Sequence, residues 1–280
     1  MITRPAGHAL SAICIGPLAH AVLAQQPPPA AAVLSAHRQV VNLMTPTGDL
    51  LTLAAAAMGA GPFNIILDRW PAGMMDLAPG LAATLTASSL HIGAWRIDLE
   101  QAQCWHLQPS WRQLAHAPAL VEGIAALRRC LMHEPAWPLA RHLDRTTALA
   151  LQARVDALRL ASTTTAQADA LAALIGLGPG LTPAGDDWLA GWLIRWRLDA
   201  AHADAAAAPP LCTADLGGTT RLSQALLRAA YAGWVDAAWQ NLLAALSYNH
   251  AGAIHQHARR ILQHGATSGC AMLAGFLHSI

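Results

Sequence analysis

The segment Gly176-Leu-Gly-Pro-Gly-Leu-Thr-Pro-Ala-Gly-Asp-Asp187 sets four glycines, two prolines and an adjacent pair of carboxylates into twelve positions. Gly176, Gly178 and Gly180 permit backbone angles closed to other residues, while Pro179 and Pro183 fix theirs, so a shaped loop is predicted. Thr182 is placed to cap the helix that follows, with Pro183 in its first position and Asp186 and Asp187 in or just after its first turn. Acids against the positive end of a helix contribute about 0.3–1 kcal/mol each. That accounts for the carboxylates alone. It leaves unexplained the alternating glycines and the position of Asp186, which shares an i, i+3, i+7 face with Leu189 and Leu193, where a buried carboxylate must be bonded or paired.

Free N–H groups at a helix start attract anions, yet two neighbouring carboxylates repel a bare phosphate. Two ligand classes resolve the conflict. In one, a divalent metal, with Mg²⁺ the candidate cofactor, bridges Asp186 or Asp187 to a phosphate. In the other, the ligand carries both signs, as a carbamoyl compound or an oxamic acid derivative does. Its anionic oxygens then meet the amides of Gly178, Gly180 and Leu181 and the Thr182 hydroxyl, and its amide N–H₂ meets an aspartate. Asp186 and Asp187 are accordingly the candidate catalytic pair, and no metal ligand set is assigned.

Other polar residues are weaker candidates. Arg221 opens a predicted helix, against the dipole preference, where a guanidinium can clamp a carboxylate or phosphate. Thr219, Thr220 and Ser223 beside it are explained as well by capping. Asn64, in Gly61-Pro-Phe-Asn, and Asn42 are polar residues in apolar segments, open to a site role or to local capping. Thr267 and Ser268 precede a last helix, which they cap or furnish with a second pocket. His250, His255, His257 and His264 lack the i, i+4 spacing of helical metal sites. Trp188, Trp192 and Trp196 form a stripe typical of core or subunit interface. Cys270 is expected to be a buried, inert thiol.

The loop and its helix, Gly-Leu-Gly-Pro-Gly-Leu-Thr-Pro-Ala-Gly-Asp-Asp-Trp-Leu-Ala-Gly191, resemble the signature of a bacterial family formerly known as a domain of unknown function. That family includes the smaller, AllH-type subunit of the allantoin-pathway oxamate carbamoyltransferase. Val40-Val-Asn42, Gly61-Pro-Phe-Asn-Ile65, Thr219-Thr-Arg-Leu-Ser-Gln-Ala-Leu-Leu-Arg228 and Gly265-Ala-Thr-Ser-Gly269 look like its other recurrent segments. The chain departs from the pattern at Ala184, where serine is commoner, and at Cys270-Ala271, where an acid often follows Ser-Gly. The resemblance implies a role in exchanging a carbamoyl group between oxalurate and phosphate, within an assembly of different subunits in purine-nitrogen catabolism. A non-catalytic interaction subunit and a stand-alone Mg-dependent phosphate-binding enzyme are the alternatives.

The rest of the chain must position this loop. Residues 1–115 read as a β-rich part, a small antiparallel sheet or barrel, with a hairpin over Ala31–Met44 and Asp49–Ala56. Further strands are expected at Phe63–Leu67, Ile92–Leu99 and Cys104–Leu107. From 116 to 280 the pattern turns helical, with helices near 119–132, 138–159, 166–175, 183–198, 219–231, 234–247, 250–264 and 268–279. This is an α+β arrangement, with the loop expected to line a cleft between the two parts. Residues 200–210 read as a surface connection or as alanine-rich helix. One stretch echoes another: Gly185-Asp-Asp-Trp-Leu-Ala-Gly-Trp-Leu193 aligns without gaps with Gly269-Cys-Ala-Met-Leu-Ala-Gly-Phe-Leu277. Small residues in mid-helix predict that the two helices cross near Gly191 and Gly275.

Composition narrows the classes. Hydrophobic residues make up 54% of the 280 and charged ones 12%, ample for a core. All 17 basic residues are arginine, and 16 acids leave a net charge of +1, which gives no footprint for nucleic acid. Without lysine there is no Schiff-base chemistry. Five widely spaced cysteines, with no C-x-x-C pair, point to reduced thiols and a cytoplasmic location. The apolar stretch Ala9–Ala24 after Arg4 is interrupted by Pro17 and His20, which favours a short helix or strand of the fold over a secretory signal. No stretch is long enough for a membrane span. The expected partners are therefore a small anionic substrate and other subunits of a transferase complex.

Overall fold

The computed structural model describes residues 8–105, 108–204, 208–211 and 213–278. Arg4, Cys212 and the last two residues of the strand expected at 104–107 lie outside them. The chain divides into two units between residues 107 and 108.

The first unit runs β1 (His8–Ile15), α1 (Pro17–Leu23), β2 (Ala31–Ala36), β3 (Val40–Met44), β4 (Leu50–Ala55), β5 (Asn64–Leu67), β6 (Ala82–Leu85), β7 (Ser89–Ile92), β8 (Trp95–Asp98) and β9 (Gln103–Cys104). Eight strands in the order β5-β4-β3-β2-β6-β7-β8-β1 close into a barrel when β1 pairs antiparallel with β5. The barrel is mixed, because β4–β5 and β1–β8 are parallel. Period-two alternation drives the closure: Val41 and Leu43, Leu51 and Leu53, and Ile65 and Leu67 are fully buried in one cluster. The run Ala31–Met44 proves to be two strands. Its turn, where the His37 amide donates to the Val40 carbonyl, contains neither glycine nor proline and so left no mark in the sequence. Ile92–Leu99 is likewise broken at Gly93, whose φ of 55° turns β7 into β8. The stretch Ala9–Ala24 supplies β1 and α1, with Pro17 at the helix start.

The second unit is helical: α2 (Trp111–Ala115), α3 (Leu120–Leu131), α4 (Arg145–Leu160), α5 (Thr164–Ala172), α6 (Ala184–His202), α7 (Arg221–Tyr231), α8 (Ala237–Ser247), α9 (Ala251–Leu262) and α10 (Ser268–Phe276). α4 starts later than its periodicity predicts, because Asp144 caps it by accepting the Thr147 amide at 2.9 Å. α6 extends through His202, so the first residues of the stretch read as a connection or alanine-rich helix are helical. It is the central element, buried without interruption from Ala184 to Ile194. α6 and α10 cross where the sequence echo placed them. A Cβ on Gly191 would stand 1.8 Å from the Met272 carbonyl oxygen, and one on Gly275 would stand 1.8 Å from that of Trp188.

Candidate functional site

The glycine loop has the shape its composition predicts. Gly176, Gly178 and Gly180 have φ of 72°, 110° and 98°, the left-handed region that side chains avoid. Its base is pinned by the Gly185 amide, which donates to the Leu177 carbonyl at 2.9 Å. Its tip, Pro179 to Leu181, is exposed. Among the described residues, the amides of Gly178, Gly180 and Leu181 make no hydrogen bond. The cap is one residue later than predicted: Pro183, not Thr182, precedes the first helical turn, and its carbonyl accepts from the amides of Asp186 and Asp187 at 3.0 and 3.1 Å. A proline has no side-chain acceptor, so the cap is made by its carbonyl alone. Thr182 is thereby released from capping, and its hydroxyl lies 3.0 Å from the Ser268 hydroxyl at the start of α10.

The two acids differ sharply although both are buried, with Asp186 2% and Asp187 6% exposed. Asp186 is fully engaged. One of its oxygens accepts the Gly176 amide at 2.8 Å and the other accepts the Thr219 hydroxyl, with Ser223 close by. It ties the loop to the entrance of α7. Thr220 adds to this tie: its hydroxyl donates to the Leu181 carbonyl at 2.5 Å while accepting the Ser223 amide at 3.1 Å. Asp187 has one carboxylate oxygen, Oδ2, buried without any hydrogen-bond partner. A buried, unsatisfied oxygen costs roughly 1–3 kcal/mol unless something else completes it.

Electrostatics sharpen the contrast. Desolvation raises the pKa of both acids. For Asp186 the bonds from Thr219, Gly176 and Ser223 pull the other way. For Asp187, burial and then the Asp186 charge outweigh the nearby Ser268 and Thr182 hydroxyls and push it up to about 7. Near neutrality Asp187 can therefore either donate or accept a proton.

The remaining candidates fall in different places. Ser268 joins the cluster through Thr182, and Arg221 is exposed at the first position of α7, directly after Thr220. Thr267 precedes α10, but its side chain makes no capping bond. Asn64 belongs to the barrel unit, where its amide donates to the Gly59 carbonyl at 2.9 Å. Asn42 is spent in a buried cross-strand row, donating to Ser35 and accepting from Thr52, each at 3.0 Å. Cys270 donates to the Ala136 carbonyl, and burial pushes its thiol up to about 12, far from nucleophilic. Among the described residues, no three potential metal-ligating side chains come together. The sequence did not bring out Thr147 of α4, whose methyl stands 3.4 Å from where a Gly178 Cβ would lie. A D-x-x-T cap at Asp144 was its signal.

Two family models match the chain. One, described as the AllH family N-terminal domain, covers residues 9–104, the barrel. The other, described as oxamate carbamoyltransferase subunit AllH, covers residues 174–280, which include the loop, both acids and the α7 and α10 entrances. No solved structure matches. Among the described residues no helix is long and apolar enough to cross a membrane. With the barrel and the acid-bearing loop each matched by its own model, the chain belongs to the AllH family of oxamate carbamoyltransferase subunits.

Proposed function

We propose that this chain serves an oxamate carbamoyltransferase, in the cytoplasm and in purine-nitrogen catabolism, by binding a small carbamoyl or phosphate ligand at the 176–187 loop. The observation that carries this reading is the bare Oδ2 of Asp187, buried behind a loop whose exposed tip keeps its amides free. Anionic oxygens of the ligand meet the amides of Gly178, Gly180 and Leu181, and Arg221 balances the charge. Asp187 faces the ligand's amide or carbonyl. As carboxylate it accepts an N–H, and as acid it donates to a developing oxyanion. Asp186 takes no part in contact with the ligand. It is the strut that holds Gly176 and Thr219, and through them the loop, in place.

A second arrangement would place a divalent cation at the same oxygen. Asp187 Oδ2 would supply one oxygen, with phosphate and water supplying the rest, as Mg²⁺ prefers. Calorimetric titration of the chain with carbamoyl phosphate, oxamate and phosphate, with and without Mg²⁺, tests both. Binding that Asp187→Asn weakens at least about tenfold, with melting no lower than that of wild type, supports the site. A dependence on Mg²⁺ selects the bridged form. Binding equal in wild type and Asp187→Asn would sink the assignment.

A further inference from the structure

The tryptophan stripe of α6 is not spent wholly on packing. Trp188, Trp192 and Trp196 form one wall of a cavity of about 470 Å³, which Leu158 and Arg159 of α4 and His278 also line. Small-molecule sites commonly fall between roughly 300 and 1,000 Å³. Among the described residues, neither the 176–183 loop nor Asp187 lines it, so this cavity is distinct from the candidate site.

Its walls specify an occupant. Trp188 and Trp192 are 1% and 8% exposed and form the floor of the cavity, while the half-buried Trp196 offers its ring, a small accessible aromatic face that suits a small guest better than a flat protein partner. Indole faces stack on planar π systems. Nearby charges are largely paired, Arg159 with Asp156 and Arg195 with Asp199, each at 2.9 Å, which leaves Arg128, bonded to the Leu277 carbonyl, as the excess positive charge beside His278. Arg159 is half exposed; its guanidinium donates to the His278 carbonyl and, at 2.9 Å, to Asp156. The His278 Nε2 is buried and has no partner. Burial, and then the arginines, bring this imidazole down to about 4, so near neutrality it offers a hydrogen bond without a charge.

We infer that this cavity binds a planar aromatic anion, its ring against Trp192 and Trp196, its charged group toward Arg159 and a polar edge on His278 Nε2. The class is an aryl carboxylate or a similar flat acid.

Titration calorimetry of the full chain with 2-naphthoate, and with uncharged 2-naphthol for comparison, tests it. One saturable site is expected, with naphthoate the tighter ligand. Trp196→Ala should weaken both by up to about tenfold, the worth of one aromatic contact. Arg159→Gln should remove only the preference for the anion. Leu158→Trp, which pushes a larger ring into the cavity, should weaken binding of both with the circular dichroism spectrum retained. Absence of saturable binding at millimolar ligand overturns the proposal. So does equal affinity for the two probes, or wild-type binding in Leu158→Trp.

Discussion

The entrances to α6 and α10 are built on the same plan, and they part in charge at two adjacent positions. Gly185 and Gly269 each lie against the carbonyl of a preceding residue, where a Cβ would stand 2.1 Å from the Leu174 oxygen and 1.8 Å from the Ile261 oxygen. Gly191 and Gly275 each receive the other helix, at Met272 and Trp188, which are themselves matching positions in the echo. The small residues are thus demanded by packing in both copies. Where α6 has Asp186 and Asp187, α10 has Cys270 and Ala271, 3% and 0% exposed. A corner of this kind therefore closes without acids. Of the two that α6 carries, one has become a strut and the other holds an unsatisfied oxygen, which packing alone gives no reason to retain.

The shared part of the plan is the most breakable. Gly191→Ala or Gly275→Ala forces a Cβ into a backbone carbonyl, which no rotamer relieves. Each is expected to cost about 3 kcal/mol, a fall in Tm of roughly 6–12 °C for a unit of this size. Because both act on one crossing, the double variant should lose less than the sum. Thermal melting of either single variant within a degree or two of wild type would show that the helices can part there freely.

Asp186→Ala comes next. It strips the acceptor from the Gly176 amide and from the Thr219 hydroxyl, and a loss of about 2 kcal/mol is expected. Hydrogen exchange should quicken at Gly176 and at the start of α7. If stability falls while exchange at Gly176 stays slow, the strut is misassigned.

Much of this arrangement was legible beforehand. Three alternating glycines and two prolines can mean little but a shaped loop, and Leu-Ala-Gly-aromatic repeated at one spacing gave the crossing. The barrel strands were legible only where punctuation was chemical. The turn at His37–Gln39 uses ordinary residues, so two strands read as one, while β6 is four short residues with two of them exposed. The division between Asp186 and Asp187 was not legible at all. Adjacent identical residues differ only in what the fold brings to each, and the partners of Asp186 come from residues 176 and 219.

Asp187→Asn should behave in the opposite way to Asp186→Ala. Its folded pKa, about 7, lies above the ordinary 3.8, so the native state holds a proton that the unfolded chain releases. The stabilisation from this group is full below about pH 4 and is lost as pH rises through 7. After allowance for relaxation and water penetration, the loss is on the order of 1–2 kcal/mol. Asparagine cannot ionise, so the variant should match or exceed wild type in stability at pH 8, and the gap should close toward pH 5. Asp186 is also shifted upward and is present in both proteins, which is why the difference between them, not the wild-type slope, is the measurement. Parallel urea-denaturation curves over that pH range would place the ionisation elsewhere.

The smallest effect tests whether the two entrances communicate. The hydroxyls of Thr182 and Ser268, 3.0 Å apart, are a direct side-chain bond between the first loop and the second helix start. Both residues are only partly buried, so each alanine variant should cost about 0.5–1 kcal/mol. A double-mutant cycle of Thr182→Ala and Ser268→Ala isolates their coupling, expected near 0.5 kcal/mol. The more telling reading is on Asp187. The same hydroxyls oppose the rise in its pKa, so removing either should drive that value higher and move the pH-dependent loss of stability to higher pH. In the Asp187→Asn background the shift should vanish while the small stability cost remains. A pH midpoint unmoved by Ser268→Ala would mean that α10, for all its likeness to α6, lends the acid nothing.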